Sequence, residues 1–321
     1  MTPQPSAWYR LRASRAHPPG IPTKDKNGVA LYRSALQQAE ELSRAAEAAG
    51  HASRPLPLYY SLTQAGRAIV AVRGADSRLI ANDHGLTFHS NPPPAILNSH
   101  VGPKERGQFP LVSAATGSMS PSKVVELGAL MASIPELATL PELGSRWLRA
   151  LPVWPHVLTT PFDRAAYDGY APAHVVLPAI PTSTGDVRTA LDPYALNGEL
   201  FFRNVAGLPP GYVFSAQTPD GVGVEVLWRI PADGSDPRPG RYGPDGRRWL
   251  RPPLCGDALP PTLLMTWWAL LFGLSMLARY HPVEWTSALN QDISEVALPL
   301  EYALTVALEV IPELVLKALE A

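Results

Sequence analysis

Apolar and polar residues recur with a helical period over the first part of the chain. Residues 28–49 are rich in Ala, Leu, Glu and Gln, which favour a helix, and Gly50 follows as a stop signal. A second helix is predicted over residues 58–72, after two prolines. The short connection between them predicts an antiparallel helix pair. The buried face of the first helix is expected to carry Leu31, Ala35, Leu42 and Ala46.

The pattern then breaks into shorter pieces up to residue 150. Residues 85–89 and 109–114 favour extended structure. Ser120-Pro121 predicts the start of a helix that reaches about residue 132, because serine is a preferred N-cap and proline suits the first turn. Another helical piece is predicted over about 140–150.

A change of pattern marks residues 150–255. This section holds 16 of the 36 prolines, and residues 222–230 alternate with a period close to two. Asp245-Gly246 between two aromatic residues indicates a hairpin turn. The section is therefore predicted to be a proline-punctuated β region.

Helical spacing returns after residue 255. Residues 258–278 are uncharged, but the Pro260-Pro261 pair suits a helix start and leaves 17 residues, 262–278, for the helix itself. A membrane helix needs about 20 predominantly apolar residues. A central helix surrounded by other helices is the preferred interpretation, and no membrane span is expected. Two more helices are predicted over 285–295 and 298–320, the last interrupted at Pro312.

The order of these elements predicts an α+β fold in four sections. The helical N- and C-terminal sections are expected to pack together, with the proline-rich β section between them, and residues 28–321 to form one compact unit. The sections are a basic N-terminal segment (1–27), a mainly helical section (28–149), the proline-rich β section (150–255) and a C-terminal helical section (256–321).

Composition narrows the class of protein. The chain is 46% hydrophobic and carries a net charge of −1, which excludes a disordered chain and a globally basic nucleic-acid binder. The single cysteine, Cys255, allows no intrachain disulfide, and the N-terminus lacks the apolar stretch of a secretory signal. We therefore expect a cytoplasmic location.

Two polar strings are candidates for chemistry. Arg279, His281 and Glu284 follow the apolar helix, where cations also stabilise a helix C-terminus by themselves. A histidine beside an arginine has its protonation disfavoured, so these three residues are also the catalytic candidates. A basic hairpin is a candidate nucleic-acid surface, or a solvated hairpin paired with acidic residues. It carries Arg238, Arg241, Arg247, Arg248, Trp249 and Arg251.

Metals and cofactors receive no support from the sequence. His84, His89 and His100 cluster loosely beside Asp83, but their spacing matches no ligand motif. Neither nucleotide-binding glycine motif is present, so no cofactor and no metal is expected.

An ordered set of short strings resembles the YaaC-like family of bacterial and archaeal proteins. These strings are Arg33-Ser34-Ala35, Leu58-Tyr59-Tyr60-Ser61-Leu62, His84-Gly85-Leu86, and Ser275 to Pro282 with Trp285. The resemblance spans nearly the whole chain, implies a soluble cytoplasmic protein and assigns no catalytic residue. The shared residues that we take as ligand-binding candidates are Arg33, Tyr59, Tyr60, His84 and Trp285.

Three hypotheses for function follow. The first is a binding or regulatory protein, with a cleft for a small molecule or a protein partner near Arg279-Tyr280-His281. The second is a metal-independent ribonuclease similar to the HEPN family, or another nucleic-acid-binding effector. HEPN ribonucleases place an arginine and a histidine four to six residues apart on one helix, whereas Arg279 and His281 are two apart. The third is a peripheral membrane protein that binds through the 258–278 helix.

Overall fold

The chain forms two compact units. The first comprises Met1–Trp147 and Leu254–Ala321, and the second is Leu148–Pro253. The predicted ends of the β section, 150 and 255, each lie two residues from these divisions. The expectation of one compact unit over 28–321 stays a prediction. The computed structural model describes residues 5–22, 24–73, 83–91, 95–156, 167, 169–194, 200–202, 209, 211–233, 235, 238, 241–242, 247–254 and 259–320.

Helices and two antiparallel sheets confirm the α+β class. The helices are α1 (Ala7–Ser14), α2 (Lys26–Ala48), α3 (Pro55–Val72), α4 (Gln108–Ala115), α5 (Leu127–Ser133), α6 (Pro135–Ala138), α7 (Thr184–Leu191), α8 (Leu263–Tyr280), α9 (Pro282–Ala288) and α10 (Ala297–Glu320). Of these, α7 belongs to the second unit and the others to the first.

Each unit has its own sheet. In the first unit, β1 (Leu86–His89), β2 (His100–Pro103) and β3 (Val125–Glu126) pair in that order. The strands of the second unit are β4 (Leu151–Pro155), β5 (Tyr170–Val176), β6 (Leu200–Phe201), β7 (Ser215–Thr218), β8 (Gly221–Arg229), β9 (Arg241–Tyr242) and β10 (Arg247–Leu250). They run in the order β6-β8-β5-β4-β10-β9, and β7 also pairs with β8.

The predicted N-terminal helix pair is present as α2 and α3. The Asp25 side chain caps α2 by accepting a hydrogen bond from the Gly28 amide at 2.9 Å, and Pro55 opens α3. The buried face of α2 includes Ala35 and Ala46 as predicted, but Tyr32 is fully buried in place of Leu31. This shift is possible because the Tyr32 hydroxyl has a partner 2.7 Å away, the Ser14 hydroxyl.

The basic N-terminal segment packs against the helices of the first unit. Arg10 pairs with Glu320 at 2.5 Å, which joins the basic N-terminal segment to helix α10. Arg12 and Arg44 both contact the largely buried Glu40 carboxylate. Burial alone would raise the pKa of Glu40, but the hydrogen bond and charge of Arg12, together with the charges of Arg44 and Arg15, hold that pKa below its usual value.

The apolar helix α8 lies in the core of the first unit. By length and composition it is long and apolar enough to cross a membrane, but 72% of it is buried inside the protein. A helix in the core of a protein can have the same length and apolar composition. The burial of α8 therefore agrees with the interpretation that it is a central helix. Trp267 and Trp268 are both fully buried, and Gly66 of α3 lies directly against the Trp268 ring.

Several predicted elements in the first unit are wrong. Residues 109–114 form helix α4 instead of a strand, because Phe109, Val112 and Ser113 are buried at helical spacing. No helix starts at Ser120-Pro121; residues 125–126 instead extend to pair with β2. This pairing outweighs the local helix signal, so that α5 begins only at Leu127.

Other boundaries also differ from prediction. Residues 140–150 contain only a 3-10 turn, Pro141–Leu143, rather than a helix. Helix α10 runs through Pro312 without interruption, because residues on both sides of the proline share one buried face. Gly50 adopts no left-handed conformation, and α2 ends instead on the extended residue Ala49.

The sheet of the second unit has one apolar face. That face packs with α7 and the following 3-10 turn (Asp192–Tyr194) into a core. The core includes Leu151, Val153, Ala173, Val175, Val187, Leu191, Tyr194, Val224 and Val226. Strands β9 and β10 pair antiparallel as the hairpin prediction requires, while the Asp245-Gly246 turn lies outside the described residues.

Candidate functional site

A cleft of about 430 Å³ opens in the first unit beside the C-terminal end of α8. Helix α8, strand β1, the turn before β1 and the residue after β2 supply its walls. The lining residues are Asp83, His84, Leu86, Thr87, Phe88, His89, Lys104, Phe272, Met276, Arg279 and Tyr280. The cleft therefore combines an apolar and aromatic surface with charged groups.

One face of α8 contributes four of these residues. Phe272, Met276, Arg279 and Tyr280 follow the i, i+4, i+7, i+8 spacing of a single helical stripe. The helix ends at Tyr280, since Pro282 begins the next helix and disfavours helical backbone at the residue before it. Arg279 is thereby held in the last turn, at the mouth of the cleft.

Arg279 is bound by neutral groups. Its Nη1 donates to the Tyr60 hydroxyl at 3.1 Å and its Nη2 to the Tyr280 hydroxyl at 2.9 Å. The guanidinium carbon also lies 4.8 Å from the centre of the Tyr280 ring. Within the described part of the chain, no carboxylate forms an ion pair with Arg279. Its positive charge is therefore oriented but not neutralised.

Lys104, the second cation of the cleft, is paired. Its Nζ lies 3.0 Å from Oδ2 of Asp83. Asp83 also accepts a hydrogen bond from the Gly85 amide at 3.1 Å. This backbone hydrogen bond, followed by the contact with Lys104, lowers the pKa of Asp83 and keeps it ionised. The cleft lining thus has two cations, Lys104 and Arg279, and one anion, Asp83. Because Asp83 pairs with Lys104, the positive charge of Arg279 is not balanced by a carboxylate of the lining.

The surroundings of His84 favour the neutral form of its imidazole. Burial, followed by the charge of Arg279, lowers the pKa of His84 from its usual value of 6.5. Its Nδ1 lies 3.0 Å from the hydroxyl of Tyr59, whose own pKa is raised by burial. The phenol and the imidazole therefore share a hydrogen bond, in which the tautomer of His84 decides which group donates.

The structure brings together four of the predicted residues, Tyr59, Tyr60, His84 and Arg279. His281 lies nearby, with Nδ1 3.4 Å from the Ser90 hydroxyl and its ring centre 6.2 Å from that of Phe88. Arg279 and His281 thus contact different groups.

Three other predicted site residues lie elsewhere. Glu284 is in the first turn of α9, outside the cleft lining. Arg33 donates to the carbonyls of Arg15 and Ala16, where it holds the segment after α1. Trp285 is 1% exposed and its Nε1 donates to the Ala52 carbonyl at 2.8 Å, so it anchors α9 to the turn between α2 and α3.

Arginines of the basic hairpin make contacts within the second unit. Arg247 pairs with Asp220 at 2.9 Å. Arg248 is 7% exposed and donates to the Arg238 carbonyl, while the Arg238 guanidinium donates to the Pro172 carbonyl. The guanidinium groups of these three arginines therefore already contact other groups of the protein. The nucleic-acid surface stays a prediction.

The sequence analysis did not identify three residues that line the cleft, Phe272, Met276 and Lys104. Phe272 and Met276 could have been found from their i−7 and i−3 spacing to Arg279 on one helix. No sequence pattern around Lys104 indicates that it lines the cleft. Its position depends on the pairing of β1 with β2, which brings the Lys104 amide 3.1 Å from the Gly85 carbonyl.

Comparison with known proteins identifies the family of the chain. A family model described as YaaC-like protein matches residues 14–319, nearly the whole chain. No curated protein and no solved structure gives a significant match. The family resemblance seen in the ordered strings is confirmed.

Proposed function

The chain belongs to the YaaC-like family, and we propose that it is a ligand-binding protein whose cleft at the end of α8 holds a small organic anion. We expect it to act in the cytoplasm, as the family resemblance implies. The observation that carries the proposal is Arg279, an oriented cation whose hydrogen-bond partners are two phenol hydroxyls.

The chemistry of Arg279 favours a carboxylate or a phosphate. A guanidinium makes charge-assisted hydrogen bonds to these groups, and they are stronger than bonds to a neutral hydroxyl. Tyr60 and Tyr280 restrict the side chain beforehand, which lowers the conformational entropy lost when a ligand binds. An anion therefore supplies the charge that this part of the cleft lacks.

The other residues that line the cleft favour a ligand whose anionic group is attached to an apolar group. Leu86, Phe88, Phe272 and Met276 line it, and its volume of about 430 Å³ falls within the range of about 300–1,000 Å³ usual for small-molecule sites. Aromatic rings and a methionine accept flat or irregular apolar groups equally well. We infer an aromatic or branched apolar group that carries one phosphate or carboxylate.

His84 links binding to pH. A bound anion would offset the charge of Arg279 and favour the imidazolium form, so the pKa of His84 would rise on binding. Binding would then take up a proton, and affinity for a carboxylate ligand would increase as the pH falls through the range near and below 6.5.

Titration calorimetry of the full-length protein with phenyl phosphate, benzoate and adenosine monophosphate tests the proposal. We expect at least one to bind in a 1:1 ratio with a Kd below about 1 mM, and benzyl alcohol, which lacks the charge, to bind at least about tenfold more weakly. The absence of binding for all three anions, or equal binding of benzyl alcohol, would contradict the proposal.

A further inference from the structure

A polar cluster lies on the sheet of the second unit, outside the cleft. His174 on β5 stands directly opposite Glu225 on β8, so both side chains point to the same face. Trp154 on β4 stands opposite His174, and His156 is two residues further along, again on that face. A backbone hydrogen bond from His156 to the Pro172 carbonyl fixes its position at 3.1 Å. Three adjacent strands therefore bring His156, His174 and Glu225 together.

The three side chains have the separation expected of metal ligands. One possible ligand atom from each lies within 4.8 Å of the others, and Nδ1 of His156 is 3.7 Å from Oε2 of Glu225. Ligand atoms around a tetrahedral ion with bonds of about 2.0–2.2 Å lie about 3.4 Å apart. The imidazole rings of His156 and His174 stack with their centres 5.5 Å apart, and these two side chains would have to move for all three ligand atoms to reach that distance.

Two polar groups of this cluster, the Glu225 carboxylate and Nδ1 of His156, are buried. The Glu225 side chain is only 3% exposed, and Nδ1 of His156 is buried with no hydrogen-bond partner among the described residues. Burying a carboxylate is costly unless opposite charge or hydrogen bonds compensate it. The Tyr167 hydroxyl donates to Oε2 of Glu225 at 2.5 Å, which also fixes the orientation of the carboxylate.

The opposite face of the same strands is rigid. Val175 neighbours His174 on β5, and Val224 and Val226 flank Glu225 on β8; all three valines are buried in the core. Side chains held on packed strands keep their geometry better than side chains on loops. The sheet therefore holds the backbone positions of His174 and Glu225 in place.

We propose that His156, His174 and Glu225 bind one divalent transition-metal ion of the Zn²⁺ class. Two imidazole nitrogens and one carboxylate oxygen suit borderline ions such as Zn²⁺, Co²⁺ or Fe²⁺, whereas Ca²⁺ and Mg²⁺ prefer sites made of oxygen atoms. Three ligands from the described residues leave a coordination position that water can fill. Tyr167 is the positioning residue that holds the carboxylate. This site shares no residue with the anion-binding cleft.

Metal titration of the tag-free, full-length protein tests the site. After removal of bound metal with a chelator, Zn²⁺ is added in competition with a chromophoric chelator. We expect one Zn²⁺ per chain, an affinity at least about 100-fold weaker in His156→Gln and Glu225→Gln, and a loss of about 10–100-fold in Tyr167→Phe. The Co²⁺-loaded wild type should show the visible absorption of a four-coordinate ion, a readout that depends on no variant.

The matched control is the other close histidine pair. His89 and His100 have ring centres 5.4 Å apart in the first unit, so His89→Gln removes a comparable imidazole outside the proposed site. Zinc affinity in this control should equal that of the wild type. The proposal is overturned if the wild type takes up no Zn²⁺ at micromolar concentration, or if His89→Gln weakens binding as much as folded His156→Gln does.

Discussion

Gly66→Val should lower the free energy of unfolding of the first unit by about 3 kcal/mol or more. A Cβ added at Gly66 would lie 2.4 Å from Cη2 of Trp268 and 2.9 Å from a methyl carbon of Val112. Trp268 is fully buried at the centre of the unit and cannot rotate away without displacing its neighbours. Urea unfolding followed by tryptophan fluorescence should show a midpoint lower by about 1 M.

A graded series separates steric overlap from a general effect of losing glycine. Gly66→Ala adds only the Cβ and should destabilise less than Gly66→Val. Gly50→Ala is the control, because nothing lies within 4 Å of a Cβ at that position and its backbone is not left-handed. That variant should leave stability unchanged or raise it by up to about 1 kcal/mol. Equal stability of Gly66→Val and the wild type would show that α3 and α8 do not pack as described.

The fold could be read from the sequence where local pattern and tertiary packing agree. Helices α2, α3 and α8 have long helical periods, and β8 has a clear period of two. The predictions failed where long-range pairing decides the structure. Residues 125–126 extend because β2 offers hydrogen bonds, although Ser120-Pro121 nearby is a good local helix start.

The candidate site could be predicted only in part for the same reason. Arg279 and Tyr280 are recognisable as polar groups at the end of an apolar helix, and Tyr59 and His84 belong to strings shared with the family. The cluster of His156, His174 and Glu225 has no sequence motif, because 18 and 51 positions separate its members (174 − 156 and 225 − 174). Only the register of β4, β5 and β8 brings them together.

Arg279→Gln should weaken phenyl phosphate binding by about 10–100-fold, because a hydrogen bond to a charged group contributes about 1.5–3 kcal/mol. Glutamine can keep a hydrogen bond to a tyrosine hydroxyl but removes the positive charge. Arg10→Gln is the matched control, since Arg10 is a part-exposed arginine paired with Glu320 outside the cleft. Calorimetry at pH 7 measures both variants, and similar affinities for the two would exclude Arg279 as the anion-binding group.

Binding of an organic anion beside Arg279 is tested most directly at the imidazole of His84. Its pKa is measured by NMR titration of the ring proton, assigned with His84→Gln, in the absence and presence of saturating phenyl phosphate. We predict a pKa below 6.5 in the free protein that rises when the anion is bound. The same His84 pKa with and without bound phenyl phosphate would contradict the proposed site.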